Sequence, residues 1–282
     1  MSDPTTGGVV LAGYDGSPAS KAAVAWAAAE AGRRGSTLVI ARCYDPPVEF
    51  TDLAWTPVGL PMDGTRGEHC GRATRELAAG YRSSLPDVRA VIRPGHPREV
   101  LPILAEQLDA DVTVLGCADH TALSRMILGS TAADLVHATT RPVVVVHPGA
   151  ADGPVVLGLA DTDEDARAVE FAFTFAARHG AEVHAVHGGR GELEQRVAPL
   201  RSRYPQVTVR MESIADRPAH ALVERSTGAR LLVVGSHHHG ALHRALRGSV
   251  SHRALFHAAC PVAVVPSGIK ATTTPTPMHA TS

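Results

Sequence analysis

Gly116-Cys-Ala-Asp-His-Thr-Ala-Leu-Ser-Arg-Met-Ile-Leu-Gly-Ser130 follows a short apolar run, Asp111-Val-Thr-Val-Leu115. It precedes a helical segment that stops at Arg141-Pro142, ahead of a second apolar run, Val143–Val146. The same order returns at Gly235-Ser-His-His-His-Gly-Ala-Leu-His-Arg-Ala-Leu-Arg-Gly-Ser249, between Leu231–Val234 and a helical segment that ends at Cys260-Pro261 before Val262–Val265. Strand, glycine, loop, Gly-Ser and helix in that order is how α/β proteins present backbone N–H groups to an anion. A constant offset of 119 carries Gly116, Gly129, Ser130 and Pro142 onto Gly235, Gly248, Ser249 and Pro261. An offset of 146 carries Asp15 onto Asp161, and one of 145 carries Gly35 onto Gly180. Fixed offsets over whole loop–helix–strand blocks mark an internal repeat. The chain is expected to hold two copies of one unit, 1–148 and 154–267, joined by His147–Pro154 and followed by a Thr- and Pro-rich segment, 268–282, whose composition predicts disorder.

Outward from these loops, strand and helix patterns alternate. Val9–Ala12 reads as a buried strand that ends in Gly13-Tyr-Asp-Gly-Ser-Pro18, a turn able to cap the Ala-rich helix Ala19–Arg34, with Trp26 on its buried face and Gly35 as its stop. Thr37–Cys43 is a second strand, which makes a βαβ unit with parallel strands and a right-handed crossover. The Pro-rich Asp45–Asp63 is a long loop of a kind that is often functional. Helix Gly64–Ser84, strand Val88–Arg93 and helix Arg98–Leu108 lead to the Asp111–Leu115 strand, helix Thr131–Thr140 and Val143–Val146. The second half repeats the order: strand Val155–Leu159, helix Glu164–His179, strand Glu182–His187, a helix within Gly188–Tyr204, strand Gln206–Glu212, helix Pro218–Thr227 and strand Leu231–Val234. Strands alternating with helices define an α/β fold with a doubly wound, Rossmann-like sheet in each unit.

Composition narrows the function classes. A net charge of -1 among 282 residues is not the footprint of a nucleic-acid binder. No apolar run reaches membrane-spanning length, and the first residues lack a signal-peptide pattern, so the expectation is a cytoplasmic protein without a membrane partner. The four cysteines, Cys43, Cys70, Cys117 and Cys260, are scattered without a CxxC pair and read as small buried hydrophobes. Among sixteen histidines, His239 and His243 have the four-residue spacing of a helical metal pair. They lack a third ligand or carboxylate at telling distance, so His237–His243 reads as a polar loop and no metal site is expected.

With these blocks in hand, the chain resembles the universal stress protein family in its tandem two-domain form. The resemblance rests on Val9-Val-Leu-Ala-Gly-Tyr-Asp-Gly-Ser-Pro-Ala-Ser20, on Gly129-Ser-Thr131 and Arg141–Val146, and on Val233-Val-Gly-Ser236, Gly248-Ser-Val-Ser251 and Cys260–Val265. It implies five-stranded parallel domains of strand order 3-2-1-4-5 that pair through their fifth strands, and a non-enzymatic stress-response role. It also implies an adenine nucleotide partner, ATP with Mg²⁺, between strands one and four. A homodimer of whole chains is a further expectation.

Carried over residue by residue, the family's Gly-x2-Gly-x9-Gly-[Ser/Thr] loop reads Gly116-x2-Asp119-x9-Gly129-Ser130 in the first half and Gly235-x2-His238-x9-Gly248-Ser249 in the second. The middle glycine is replaced in both. The Asp119 carboxylate would repel phosphate unless Mg²⁺ intervened, whereas a protonated His238 would favour it. On the strand-one side, Asp15 matches the residue that faces adenosine, and Asp161 is its counterpart inside an acidic run. The resemblance thus assigns nucleotide contacts to Gly13, Asp15, Gly116, Asp119, Gly129, Ser130 and Thr131, and to Asp161, Gly235, His238, Gly248, Ser249 and Val250. A bland reading stands beside it: glycines after strands serve any such fold, and Gly-Ser is an ordinary helix start. On that reading the sites are degenerate and the protein is a nucleotide-free scaffold acting through protein contacts. No nucleophile–base–orienter set can be read, although slow ATP hydrolysis stays open.

Overall fold

The computed structural model describes residues 7–45, 64–117, 130–147, 149, 151–160, 165–188, 193–215, 217–236 and 250–267. The first half runs β1 (Val9–Gly13), α1 (Pro18–Arg34), β2 (Thr37–Tyr44), α2 (Gly64–Tyr81), β3 (Val88–Pro94), α3 (Pro97–Gln107), β4 (Ala110–Gly116), α4 (Ser130–Ala138) and β5 (Val143–Val146). The second runs β6 (Val155–Leu159), α5 (Ala166–His179), β7 (Val183–His187), α6 (Leu193–Arg203), β8 (Val209–Ser213), α7 (Pro218–Arg225), β9 (Leu231–Ser236), α8 (Val250–His257) and β10 (Val262–Pro266).

The strands form one sheet, ordered β3-β2-β1-β4-β5-β10-β9-β6-β7-β8. Each half is the parallel 3-2-1-4-5 arrangement. The halves meet where β5 and β10 run antiparallel, with Val145 opposite Val262 and Val143 opposite Val264. Side chains alternate across the strands as a pleat requires. Val10, Ala12, Leu38 and Ile40 face one core together with residues of α1, α2, α5 and α6. Leu11, Val39 and Ala41 face the other, with residues of α3, α4, α7 and α8. Each core contains residues of both halves, so the hydrophobic layers run unbroken across the β5–β10 seam.

Local chemistry sets the ends of α1. The Ser17 hydroxyl accepts from the Ser20 N–H, and Pro18 supplies a helical φ at the first position. Gly35 closes the helix in a left-handed conformation, φ 65°, just after Arg33 and Arg34, which favour the negative end of the helix dipole. Gly180 closes α5 in the same way at φ 60°.

Two expectations need correction. Strand β8 begins at Val209 rather than Gln206. The Val207 N–H is spent on the Tyr204 carbonyl in a turn, so its buried side chain follows a turn rather than a strand. Trp26 is half-buried rather than part of an internal helix face. Its ring stacks on Phe175 of α5, at 6.1 Å and 4°, so it packs between the two halves. The Pro-rich Asp45–Asp63 loop, apart from Asp45, and the 268–282 segment lie outside the described residues.

Candidate functional site

In a 3-2-1-4-5 sheet the chain leaves β1 toward one side and β4 toward the other, opening a crevice beyond their C-terminal ends. Of the expected binding residues, Gly13, Asp15, Gly116, Ser130 and Thr131 in the first half and Gly235 and Val250 in the second are described, and the surroundings of the two strand ends differ.

In the first half, β1 delivers Asp15 and β4 delivers Gly116. β1 and β4 are paired from Val9 to Ala12, and β4 pairs with β5 up to Gly116 opposite Val146. The Asp15 Oδ1 accepts from the Ser17 N–H at 2.8 Å. Ser20 Oγ accepts from the Asp15 N–H at 3.3 Å and donates to the Ser17 carbonyl at 3.0 Å. Partial burial would raise the Asp15 pKa, but donors on Ser17 and Ser20 outweigh it and hold the carboxyl below its usual value. Asp15 is therefore an exposed carboxylate whose backbone is fixed by the first turn of α1. Beside it Gly16 sits at φ 93°, a conformation that favours glycine. The Arg42 guanidinium lies 5.4 Å from the Tyr14 ring centre, and its Nη1 is 3.5 Å from where a Gly16 side chain would begin. The Arg42–Tyr14 pair thus lies next to Gly16, one residue beyond Asp15 at the end of β1.

Gly116 and Gly13 are required by close packing. A Cβ on Gly116 would lie 2.4 Å from the Ala19 carbonyl carbon and oxygen, so the first turn of α1 rests directly on β4. A Cβ on Gly13 would lie 2.5 Å from Leu115 Cδ2. Ser130 begins α4, and Thr131 is half-buried in its first turn. His147, just past β5, is 2% exposed, and both its ring nitrogens lack a hydrogen-bond partner among the described residues. Burial pushes its pKa down to about 4.

In the second half, the position equivalent to Ala19 is Asp165. Its carboxylate is 2% exposed and lies against β9: a Cβ on Gly235 would stand 2.2 Å from Asp165 Oδ1. Asp165 Oδ2 accepts from the Ala160 N–H at 2.8 Å and pairs with Arg196 at 3.3 Å. Arg196 also donates to the Ala160 carbonyl. The acidic run reads in sequence as helix-dipole chemistry, yet the Asp165 side chain makes no capping bond and is buried against β9 and the Ala160 N–H instead. On the far side, Ser251 Oγ donates to the Gly235 carbonyl at 2.8 Å, tying the first turn of α8, which opens with Val250, to β9.

Asp119, Gly129, Asp161, His238, Gly248 and Ser249, with the whole 237–243 histidine loop, lie outside the described residues. Sequence reasoning missed Arg42, the Asp165–Arg196 pair and Ser251. The 146-residue offset that pairs Ala19 with Asp165 was a signal that could have exposed the asymmetry. Among the described residues no cluster of three or more His, Cys, Asp or Glu is arranged to hold a metal, and no helix is long and apolar enough to cross a membrane. None of the four cysteines is in a disulfide, and burial raises the pKa of Cys43 to about 11 and that of Cys260 to about 12, far from thiolate reactivity.

A doubled 3-2-1-4-5 sheet with a crevice at each reversal of strand order defines a tandem α/β protein with a doubly wound, Rossmann-like sheet in each half. The family model for the universal stress protein family matches residues 8–147 and 189–266. Universal stress protein Rv2005c of Mycobacterium tuberculosis is 31% identical over 301 residues, covering 94% of this chain and 99% of the relative. A universal stress protein of Mycolicibacterium smegmatis is 30% identical, covering 91% of this chain and 96% of the relative. In structure, a universal stress protein from Archaeoglobus fulgidus superposes with a TM-score of 0.73 at 17% identity, over 94% of this chain and 100% of that one. The chain belongs to the universal stress protein family.

Proposed function

We propose that this protein binds a single adenine nucleotide, ATP with Mg²⁺, in the first-half crevice. On this reading it serves the stress response by changing its contacts with partners rather than by catalysing a reaction. The contrast between the two crevices carries the proposal. In the second, the buried Asp165 carboxylate lies against Gly235, and its negative charge disfavours a phosphate on that loop. In the first, the equivalent residue is Ala19, whose methyl side chain adds no charge, and the Asp15 carboxylate stands exposed.

The residues present suit a nucleotide. Asp15 is an acceptor for ribose or base donors, ionised at neutral pH and fixed in place by Ser17. Arg42 adds a cation at the same end of the sheet, and the first turn of α4, with Ser130 and Thr131, adds backbone N–H groups for phosphate. Mg²⁺, when bound with the nucleotide, would neutralise phosphate charge and so ease the presence of Asp119 in the loop. The second half then acts as scaffold, completing the cores and the β5–β10 seam.

Isothermal titration with ATP and Mg²⁺ tests this. Removing a charged hydrogen-bond acceptor costs about 1.5–3 kcal/mol, so Asp15→Ala is expected to weaken binding roughly ten- to a hundredfold. Equal affinity in Asp15→Ala and the natural protein, or no heat at millimolar nucleotide, would defeat the proposal.

A further inference from the structure

Away from both crevices, residues of α1 and α5 line a half-open cavity of ≈ 210 Å³ between the halves. One wall is the α1 face carrying Trp26, Glu30 and Arg33; the other is Phe175 and His179 of α5, with Arg230 at the entry to β9. The spacing of these residues, four and three along α1 and four along α5, is what a single helix face provides.

The polar half of this cavity is rich in cations. Glu30, 1% exposed, accepts from Arg34 at 2.5 Å and His179 at 2.8 Å and pairs with Arg178 at 3.3 Å. Both of its oxygens are therefore occupied from the protein side. Burial would raise the Glu30 pKa, yet the His179 hydrogen bond and the Arg34 and Arg178 charges hold it below the usual carboxylate range. Arg34 and Arg178 reach this buried carboxylate, whereas Arg33 and Arg230 line the cavity, with Arg230 Nη1 3.5 Å from His179 Nδ1. The other acids in reach are peripheral. Asp152 pairs with Arg230 at 2.9 Å but is 96% exposed, and Asp111 stands 3.9 Å from Arg34.

Three buried donors, Arg34 Nη2, Arg178 Nε and Arg230 Nε, have no hydrogen-bond partner among the described residues. Burial lowers the pKa of Arg178, with the charge of Arg34 adding to the effect and that of Glu30 opposing it. Unpaired buried donors are costly, and an exposed ion pair such as Arg230–Asp152 opens at little cost. The apolar half is a stack of rings: Trp26 on Phe175 at 6.1 Å, and Phe175 on His179 at 3.9 Å.

We propose that this cavity between the halves is a second ligand site, taking a small oxyanion with a flat apolar body, its carboxylate or phosphate head on Arg33 and Arg230 and its body against Trp26 and Phe175. The size fits such a ligand. The space of ≈ 210 Å³ lies below the ~300 Å³ at which drug-sized pockets begin. An anion there would contact α1, α5 and the entry to β9 at once, coupling occupancy to the fit of the two halves.

The reporter is already in the wall. The chain has two tryptophans, so a Trp55→Phe background leaves Trp26 as the only indole. Titration of that full-length protein with benzoate at constant ionic strength is expected to give a saturable change in Trp26 emission, whereas the neutral analogue benzamide gives none. Arg33→Gln and Arg230→Gln are each expected to weaken benzoate roughly tenfold or more, the scale of one charge-assisted contact. Arg33 is exposed, so its variant is not expected to impair folding. Benzamide binding as tightly as benzoate, undiminished binding in both arginine variants, or a change that merely tracks salt would overturn the inference. Asp15→Asn separates the two sites: it is expected to leave benzoate binding intact, and Arg33→Gln to leave ATP binding intact.

Discussion

His147 makes stability depend on pH in a way one substitution should erase. Its imidazole is 2% exposed, with neither nitrogen partnered among the described residues, and burial lowers its pKa from 6.5 to about 4. Between those values the unfolded chain takes up a proton that the folded chain refuses, so stability rises with pH across the window and falls on acidification. The whole difference is worth about 3 kcal/mol, of which about 2 kcal/mol is lost by pH 5. Urea unfolding at three pH values from about 7.5 down to about 5 measures it, above the range in which carboxylates titrate. In His147→Leu this contribution should be absent, so the stability difference between natural protein and variant should itself change by about 2 kcal/mol between about pH 7.5 and about pH 5. The variant should also be more stable near neutrality by about 1–3 kcal/mol, because an unsatisfied buried polar group is gone. If the two proteins lose stability in parallel between about pH 7.5 and about pH 5, the buried neutral imidazole is not the cause.

Acid should act on Glu30 in a lower range. Its folded pKa lies below 4.5, so its contribution is complete above that value and is lost as pH falls through the folded pKa. Glu30→Gln leaves Arg34 and Arg178 without their carboxylate and is expected to cost about 3–5 kcal/mol, read from the urea midpoint. Gly116→Ala would drive a Cβ into the α1 backbone, whereas Gly235→Ala would meet one carboxylate oxygen. Thermal unfolding should therefore fall further in Gly116→Ala, with a cost of about 1–3 kcal/mol. Phe175→Ala, which removes the ring stacked on Trp26 between the halves, is expected to cost about 3–5 kcal/mol and to red-shift tryptophan emission.

The doubling and the strand–helix order were readable in the sequence, because each rests on local signals that recur at a fixed offset, whereas the 3-2-1-4-5 strand order came from the family resemblance. Glycine after a strand, Pro before the next strand and Gly35 and Gly180 at helix ends need no partner to be understood. What escaped depends on distant partners. Glu30 in an Ala-rich helix looks like a solvated charge. It is buried because Arg178 and His179, 148 and 149 residues further on, close over it. Asp165 looks like the last acid of a helix start, and only the approach of β9 and Arg196 buries its side chain. Trp26 sits on an apolar stripe in either reading, and only the second half supplies Phe175. The two crevices therefore looked comparably imperfect in sequence and proved unequal in structure.

Native mass spectrometry of the full chain in saturating ATP and Mg²⁺ counts nucleotides per molecule. One bound nucleotide, lost in Asp15→Ala and kept in Asp161→Ala, is the expected result. Two nucleotides per chain, none, or one that depends on Asp161 instead of Asp15 would contradict a working first crevice beside a second one that disfavours phosphate.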